Sequence, residues 1–172
     1  MDLPVSLRRF RRNADGVAAV EFALIAAPFF ALLFAILETA LVFMAQQALQ
    51  TATTETARLI MTGQAQNQNM TASQFQQALC TNATTLFSCS GLYVNVQTFT
   101  SFSSMTQMDP LQNGKFVTTN MNFTPGGPGD IVLVQAFYQW PVWLAPLGFN
   151  LSNMSGDSRL LMATAVFRNE PY

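Results

Sequence analysis

Few side chains in this 172-residue chain could carry out acid–base or nucleophilic chemistry. Histidine is absent, which excludes imidazole-based catalytic triads and histidine-ligated zinc. The two cysteines, Cys80 and Cys89, are too few for a tetrahedral thiolate site, and the single lysine, Lys115, has no catalytic motif beside it. We therefore expect no enzyme, no cofactor, no metal and no small-molecule substrate. An anchored hydrolase using Asp or Ser chemistry is the least favoured hypothesis, and a net charge of -1 gives no basic field for nucleic acid.

The residues whose spacing does suggest chemistry lie near the start of the chain. Half of the eight basic residues form a cluster there: Arg8, Arg9, Arg11 and Arg12. Gly16 follows this cluster, and Glu21 then interrupts a long apolar stretch. A carboxylate within an apolar membrane helix costs about 2.5–3.5 kcal/mol on insertion scales, so such a residue is a functional candidate by default. The alternative is that Glu21 lies close enough to the cytoplasmic face to reach water.

The apolar stretch from Val17 to Ala45 predicts one transmembrane helix. Its uninterrupted part, residues 22–37, would extend about 24 Å as a helix. Residues beyond Glu38 supply the remaining length of a hydrocarbon core of about 30 Å. Glu38 would then reach the far membrane interface as a solvated carboxylate. Because the four arginines precede the segment, the positive-inside rule places the N-terminus in the cytoplasm. The run is too long for a cleaved secretory signal, which favours a retained anchor.

The string RRNADGVAAVEFALIAAPFF resembles the processing site of type IV prepilins. In that family a prepilin peptidase cuts after a glycine, and a glutamate stands five residues beyond the cut. The resemblance implies that residues 1–16 are a basic leader and that cleavage falls between Gly16 and Val17. It also implies that Glu21 neutralises the new terminal amine, on its own or a neighbouring subunit, during assembly.

More narrowly, the chain resembles the TadE-like minor pseudopilins of the tight-adherence (Tad/Flp) pilus system. GVAAVEFALI is close to their opening and ATAVFRNEPY is similar to their ending, while Phe22 stands where major Flp pilins carry tyrosine. The resemblance implies an inner-membrane protein, with its C-terminal domain outside the cytoplasm, that supports pilus assembly together with other pilin-like subunits. The related TadF and TadG proteins stay open as alternatives. So does an uncleaved single-pass anchored interaction protein.

Helical periodicity continues beyond the apolar stretch, at Leu41, Met44, Ala48 and Ala52. Gly63 is the predicted end of the helix. The sequence thus predicts a membrane helix over residues 17–45 whose second half, residues 46–62, projects from the membrane. Pro28 should loosen it locally. Two separate helices broken near residue 45 are the alternative.

Residues 63–172 are predicted to form an extracytoplasmic α+β domain. A short helix is expected over Ser73–Thr81, with Ser73 as its N-cap. Alternating or continuous apolar runs predict four strand candidates: Leu92–Phe102, Lys115–Phe123, Ile131–Trp140 and Leu160–Arg168. Three or four of these would form an antiparallel sheet packed on the projecting helix. The predicted fold class is therefore α+β and pilin-like, a long N-terminal helix with a small antiparallel head.

Two further features belong to this domain. Outside the cytoplasm Cys80 and Cys89 are expected to form a structural disulfide. A redox-active pair would favour a C-x-x-C spacing, which is absent here. The aromatic and proline-rich segment Trp140–Leu147 is interpreted either as a loop that docks a partner or as a loop that covers one sheet edge.

Overall fold

The computed structural model describes residues 16–83, 86–145 and 148–172. The chain divides into two compact units, one ending at Leu37 and the other running from Glu38 to Tyr172. The described part of the first unit is helical from Val17 onward. The second, called here the C-terminal unit, contains the rest of that helix and a three-stranded antiparallel sheet. The α+β fold class predicted from the sequence is confirmed.

Helix α1 spans Val17–Met61, 45 residues, and continues through Pro28. The alternative of two helices broken near residue 45 is therefore wrong. The helix ends as predicted just before Gly63, which adopts the left-handed conformation with φ 76°. The Gly63 amide donates to the carbonyl of Ile60 at 3.0 Å, and a side chain at this position would overlap the ring of Tyr172. Glycine is thus required both by the backbone and by the neighbouring ring.

The half of α1 within the C-terminal unit buries one face against the sheet. The buried apolar positions recur in steps of three to five residues: Val42, Ala45, Leu49, Ala52, Ala57 and Ile60. Two positions of the predicted apolar stripe, Leu41 and Met44, are instead 37% and 52% exposed. Over residues 40–45 the helix is apolar on every side, so periodicity alone could not assign its buried face there.

The three-stranded sheet has the order β1-β4-β5, with β1 over Leu92–Phe99, β4 over Ile131–Pro141 and β5 over Ser158–Arg168. Both pairings are antiparallel. In β4, Ile131 lies opposite Phe99 and Arg168, whereas Pro141 at the other end lies opposite Ser158. Three of the four predicted strands are therefore confirmed, with their ends shifted by a few residues.

The fourth predicted strand, Lys115–Phe123, is wrong. Lys115–Phe116 (β3) pairs with Leu111–Gln112 (β2) in a short hairpin, and at the other end of the segment Phe123 forms only an isolated parallel bridge with Val96 of β1. Asn113 and Gly114 form its turn, with φ angles of 52° and 72°. An Asn-Gly pair favours this mirror-image turn. The ladder stops next to Leu111 because Pro110 accepts from the Val117 amide but has no amide hydrogen to donate in return.

The sheet lies between α1 and the long segment that connects β1 to β4. Asn95 and Gln135 lie opposite each other, fully buried, and the Asn95 amide donates to the Gln135 side-chain oxygen at 3.1 Å. That oxygen also accepts from the amide of Met108, and the Asn95 oxygen accepts from the amide of Asn122. Two polar side chains thus hold the connecting segment over Phe137 and the second face of the sheet.

Two short helices follow α1: α2 over Gln64–Asn67 and α3 over Ala72–Asn82. The predicted short helix is confirmed, but its N-cap is Thr71 rather than Ser73. Thr71 and Gln74 form a reciprocal capping box, which satisfies two donors at the start of α3.

The free edge of the sheet, strand β5, is covered in part by two glutamines of α1. The Gln46 amide donates to the carbonyl of Met162 at 2.7 Å. Gln50 donates to the carbonyl of Thr164 at 3.0 Å and accepts from the Thr164 amide at 3.2 Å. These side chains take the place of a neighbouring strand and reduce the tendency of the edge to pair with another chain.

Candidate processing and assembly site

The bond predicted to be cut joins Gly16 to the first residue of α1. The helix begins at Val17, which is 52% exposed. A β-carbon added at Gly16 would meet no atom within 4 Å, and the residue does not adopt a left-handed backbone. Among the described residues, neither packing nor backbone conformation therefore requires glycine at position 16.

Glu21 lies one turn into α1. Residues four apart stand on the same helix face, so Glu21 lies above Val17. Both Glu21 and the following Phe22 are exposed, Phe22 by 71%. Glu21 is also the only charged residue between Val17 and Leu37. The arrangement can bring one carboxylate close to a positive group at the start of the helix.

The topology signal predicted from the sequence, Arg8, Arg9, Arg11 and Arg12, lies outside the described residues. The same holds for the rest of the predicted leader except Gly16.

Glu38, the first residue of the C-terminal unit, is a buried carboxylate that sequence reasoning misassigned. Only 4% of its surface is exposed. One carboxylate oxygen accepts from the backbone amide of Trp143 at 2.5 Å, and both oxygens lie 3.3 Å from the amide nitrogen of Leu144. The prediction that Glu38 is a solvated carboxylate is therefore wrong. Backbone amides of the loop after β4 replace the water that an exposed carboxylate would bind.

The segment Trp140–Leu147 belongs partly to strand β4 and partly to the loop that follows it. Trp140 and Pro141 complete β4, while the Val142 amide donates to the carbonyl of Asp157 at 2.9 Å. Beyond them the backbone turns onto α1 through Glu38 and leaves Trp143 61% exposed. Residues 146–147 lie outside the described part. The contact between Glu38 and the loop had one sequence signal, the lone carboxylate of Glu38 among apolar residues. The backbone amides of Trp143 and Leu144 that bind it carry no sequence signature.

The predicted disulfide between Cys80 and Cys89 is present, with Cα atoms 5.4 Å apart. This separation lies within the usual range for a disulfide. The bridge joins the last turn of α3 to the short helical turn Cys89–Gly91, which leads directly into β1. The Gln76 amide reinforces the junction by donating to the carbonyls of Cys89 and Leu92. The disulfide therefore fixes α3 against the start of the sheet.

In the described part of the chain, no three His, Cys, Asp or Glu side chains group closely enough to bind a metal ion. One helix among the described residues, α1, is long and apolar enough to cross a membrane. Its apolar surface and the residues at its start are thus the principal candidate site.

Comparison with known families bears on this segment. Residues 16–58 match the family described as TadE-like protein. The N-terminal segment is TadE-like. The matched range starts at Gly16 and covers nearly all of α1, so the TadE-like features coincide with the predicted cut, Glu21 and the apolar helix. No curated protein and no solved structure gives a significant match to the chain.

The TadE-like match relates the N-terminal segment to pilin-like proteins associated with Tad pilus systems. The sheet of the C-terminal unit lies outside the matched range. A long apolar helix followed by a small antiparallel sheet fits such a protein, and the helix is suited to serve as a membrane anchor.

Proposed function

We propose that this TadE-like protein is a minor pseudopilin that takes part in assembly of a Tad/Flp-type pilus. In this proposal a prepilin peptidase cuts between Gly16 and Val17, and the apolar helix then joins other pilin-like subunits laterally. The role is structural rather than catalytic. The observation that carries the proposal is the apolar surface of α1 from Val17 to Leu37, exposed at most positions and interrupted by one charge, Glu21.

The length of this surface fits a membrane. Twenty-one residues, 17–37, extend about 31 Å as a helix, which matches a hydrocarbon core of about 30 Å. The proposed span therefore ends before Glu38 and uses none of the helix residues packed in the C-terminal unit. The proposed location is the inner membrane, with the arginine cluster in the cytoplasm and the C-terminal unit outside it. The disulfide supports an oxidising compartment for that unit.

Cleavage would place a new positive charge near Glu21. A free α-amine has a pKa of about 8 and is therefore mostly charged at pH 7. At Val17 it would stand one turn from Glu21 on the same helix face, or meet the Glu21 of a neighbouring subunit. A carboxylate in an apolar environment is tolerated when it is paired. The cut would thus create the partner that Glu21 lacks within the apolar segment.

The free space around Gly16 also supports the proposal. Because the fold leaves space for a side chain there, the glycine is best explained by close approach of a peptidase backbone. A substitution at position 16 can therefore test recognition by the peptidase separately from the stability of the fold. Gly16→Ala should block processing without disturbing the fold.

The test is the mass of the mature protein in cells with and without prepilin peptidase. We expect the wild-type chain to begin at Val17 only when the peptidase is present, and Gly16→Ala to retain residues 1–16. Gly127→Ala is the matched control, since its β-carbon would meet only one atom within 4 Å, at 3.8 Å. A wild-type chain that begins at Met1 in peptidase-containing cells would refute the proposal and favour the uncleaved anchored protein.

Glu21 is tested separately. Glu21→Ala should leave the protein in the membrane but weaken its crosslinking to other pilin-like subunits and reduce piliation. Glu55→Ala, an exposed carboxylate on the same helix, should have neither effect. Undiminished crosslinking and piliation with Glu21→Ala would disprove the pairing role.

A further inference from the structure

Trp143 is an unusually exposed indole on a fixed backbone. Its surface is 61% exposed, although neighbouring Trp140 and Val142 are only 6% and 4% exposed. The Trp143 amide is held by Glu38, and its ring meets Trp140 edge to face with centroids 6.4 Å apart. The chain therefore presents a large amphipathic ring outward from a position fixed by its surroundings.

This ring lies at a defined end of the C-terminal unit. Trp143 follows the Pro141 end of β4, and it contacts Glu38, which directly follows Leu37 in the chain. The opposite end of the sheet lies near the last turn of α1, where the Glu170 amide donates to the carbonyl of Met61 at 2.9 Å. Trp143 thus lies at the end of the unit where the chain enters from the exposed apolar helix.

The exposed surface of α1 at this end is mainly apolar, and two charged residues, Asp157 and Arg159, lie at the start of β5 beside Val142 and Trp140. Glu38, the carboxylate of this turn, is turned inward and covered by the loop. Along the next turns of α1, Leu41, Phe43 and Met44 are 37%, 67% and 52% exposed. A buried, satisfied carboxylate beside exposed apolar side chains is suited to a low-dielectric boundary, where a solvated carboxylate would be unfavourable.

We propose that the loop 142–145 is a membrane-interface anchor, with the Trp143 indole inserted among the lipid headgroups. This inference rests on the proposed membrane span over residues 17–37, because that span ends one residue before Glu38. Tryptophan concentrates at membrane–water interfaces since its ring is apolar while its N–H can bond to polar headgroups. The Glu38 contact fixes the loop so that the indole stays at this level.

Fluorescence in vesicles tests the anchor, because the chain has only two tryptophans and one of them is buried. The full chain is reconstituted in three sets of phosphatidylcholine–phosphatidylglycerol vesicles. One set has no bromine, one has bromine atoms near the headgroup end of the acyl chains (shallow), and one has them near the methyl end (deep). The emission lost on going from wild type to Trp143→Phe isolates the signal of Trp143. We expect shallow bromines to quench most of that signal and deep bromines to quench it less.

A matched probe is available at the other end of the sheet. Phe102 is 60% exposed and follows the β1 end that pairs with Ile131, ten residues or about 33 Å along β4 from Pro141. Phe102→Trp in the Trp143→Phe background should emit without bromine quenching. Equal quenching of the two probes would overturn the anchor.

Flotation of the vesicles separates this inference from the proposed function. Protein that floats with the vesicles while Trp143 is unquenched would refute the anchor and leave the membrane span intact, which would point to a protein partner for Trp143. Protein that does not float would refute the span and the anchor together.

Discussion

Removal of the Glu38 carboxylate should release the loop after β4 from α1. Glu38→Ala leaves the amides of Trp143 and Leu144 without their acceptor, where hydrogen bonds to a charged group contribute about 1.5–3 kcal/mol each. Part of this loss is recovered because the opened loop can bond to water. We therefore expect the loop to lose about 2–4 kcal/mol of local stability.

Hydrogen exchange on the full chain in detergent micelles measures this loss directly. Because 1.4 kcal/mol is a tenfold change, protection of the Trp143 and Leu144 amides should fall roughly 30- to 700-fold. Glu38→Gln keeps one acceptor oxygen but loses the charge and places an N–H₂ group toward the loop. Its effect should be intermediate.

Glu55→Gln is the control, since Glu55 is an exposed carboxylate on the same helix. It should leave the protection of both loop amides unchanged. Wild-type protection of Trp143 and Leu144 in the Glu38→Ala variant would show that the carboxylate does not hold the loop. A loss spread evenly over the sheet would show instead that Glu38 stabilises the whole unit rather than this contact.

Three further predictions concern other parts of the C-terminal unit. Replacing Cys80 and Cys89 together by serine should cost about 2.5–3 kcal/mol on the chain-entropy model, measured by denaturant unfolding in micelles; an unchanged midpoint would contradict it. Gly63→Ala should cost about 1–2 kcal/mol from its left-handed backbone alone, and a Tyr172→Ala background that restores full stability would show that ring overlap is the cause instead. Burial, and secondarily the charge of Asp130, raise the pKa of Tyr172 above 10.0. The neutral phenol is then favoured in the fold, so this contribution is present below pH 10 and is lost as pH rises through the raised pKa; ultraviolet titration against Tyr172→Phe should show the raised midpoint, and Asp130→Asn should lower it.

The sequence predicted the fold best where local composition alone dictates the local conformation. The apolar run, the stop at Gly63 and the continuous strand of β4 each follow from local composition and were predicted with nearly the right bounds. The threonine-rich stretch 115–123 was wrongly predicted as one continuous strand. Strand formation depends largely on a neighbouring strand to pair with, so local composition did not suffice there.

The candidate site shows a different division. Gly16, Val17 and Glu21 were predicted as a processing and assembly site through the resemblance to type IV prepilins, which is carried by one contiguous stretch of sequence. Glu38 resembled Glu21 in being a lone carboxylate among apolar residues, but its role depends on the loop that folds back to it. Its partners lie more than one hundred residues away in the chain.

The sequence by itself determined that this protein has a long apolar helix and an α+β C-terminal unit, and it predicted the disulfide. These features depend on composition, period and spacing, which are local quantities, whereas the proposed cut before Val17 rests on the resemblance to type IV prepilins. Only the tertiary structure decided that Glu38 is buried by backbone amides and that Trp143 is exposed beside it. Backbone donors are identical in every residue except proline, so no sequence pattern marks which of them will meet a distant carboxylate.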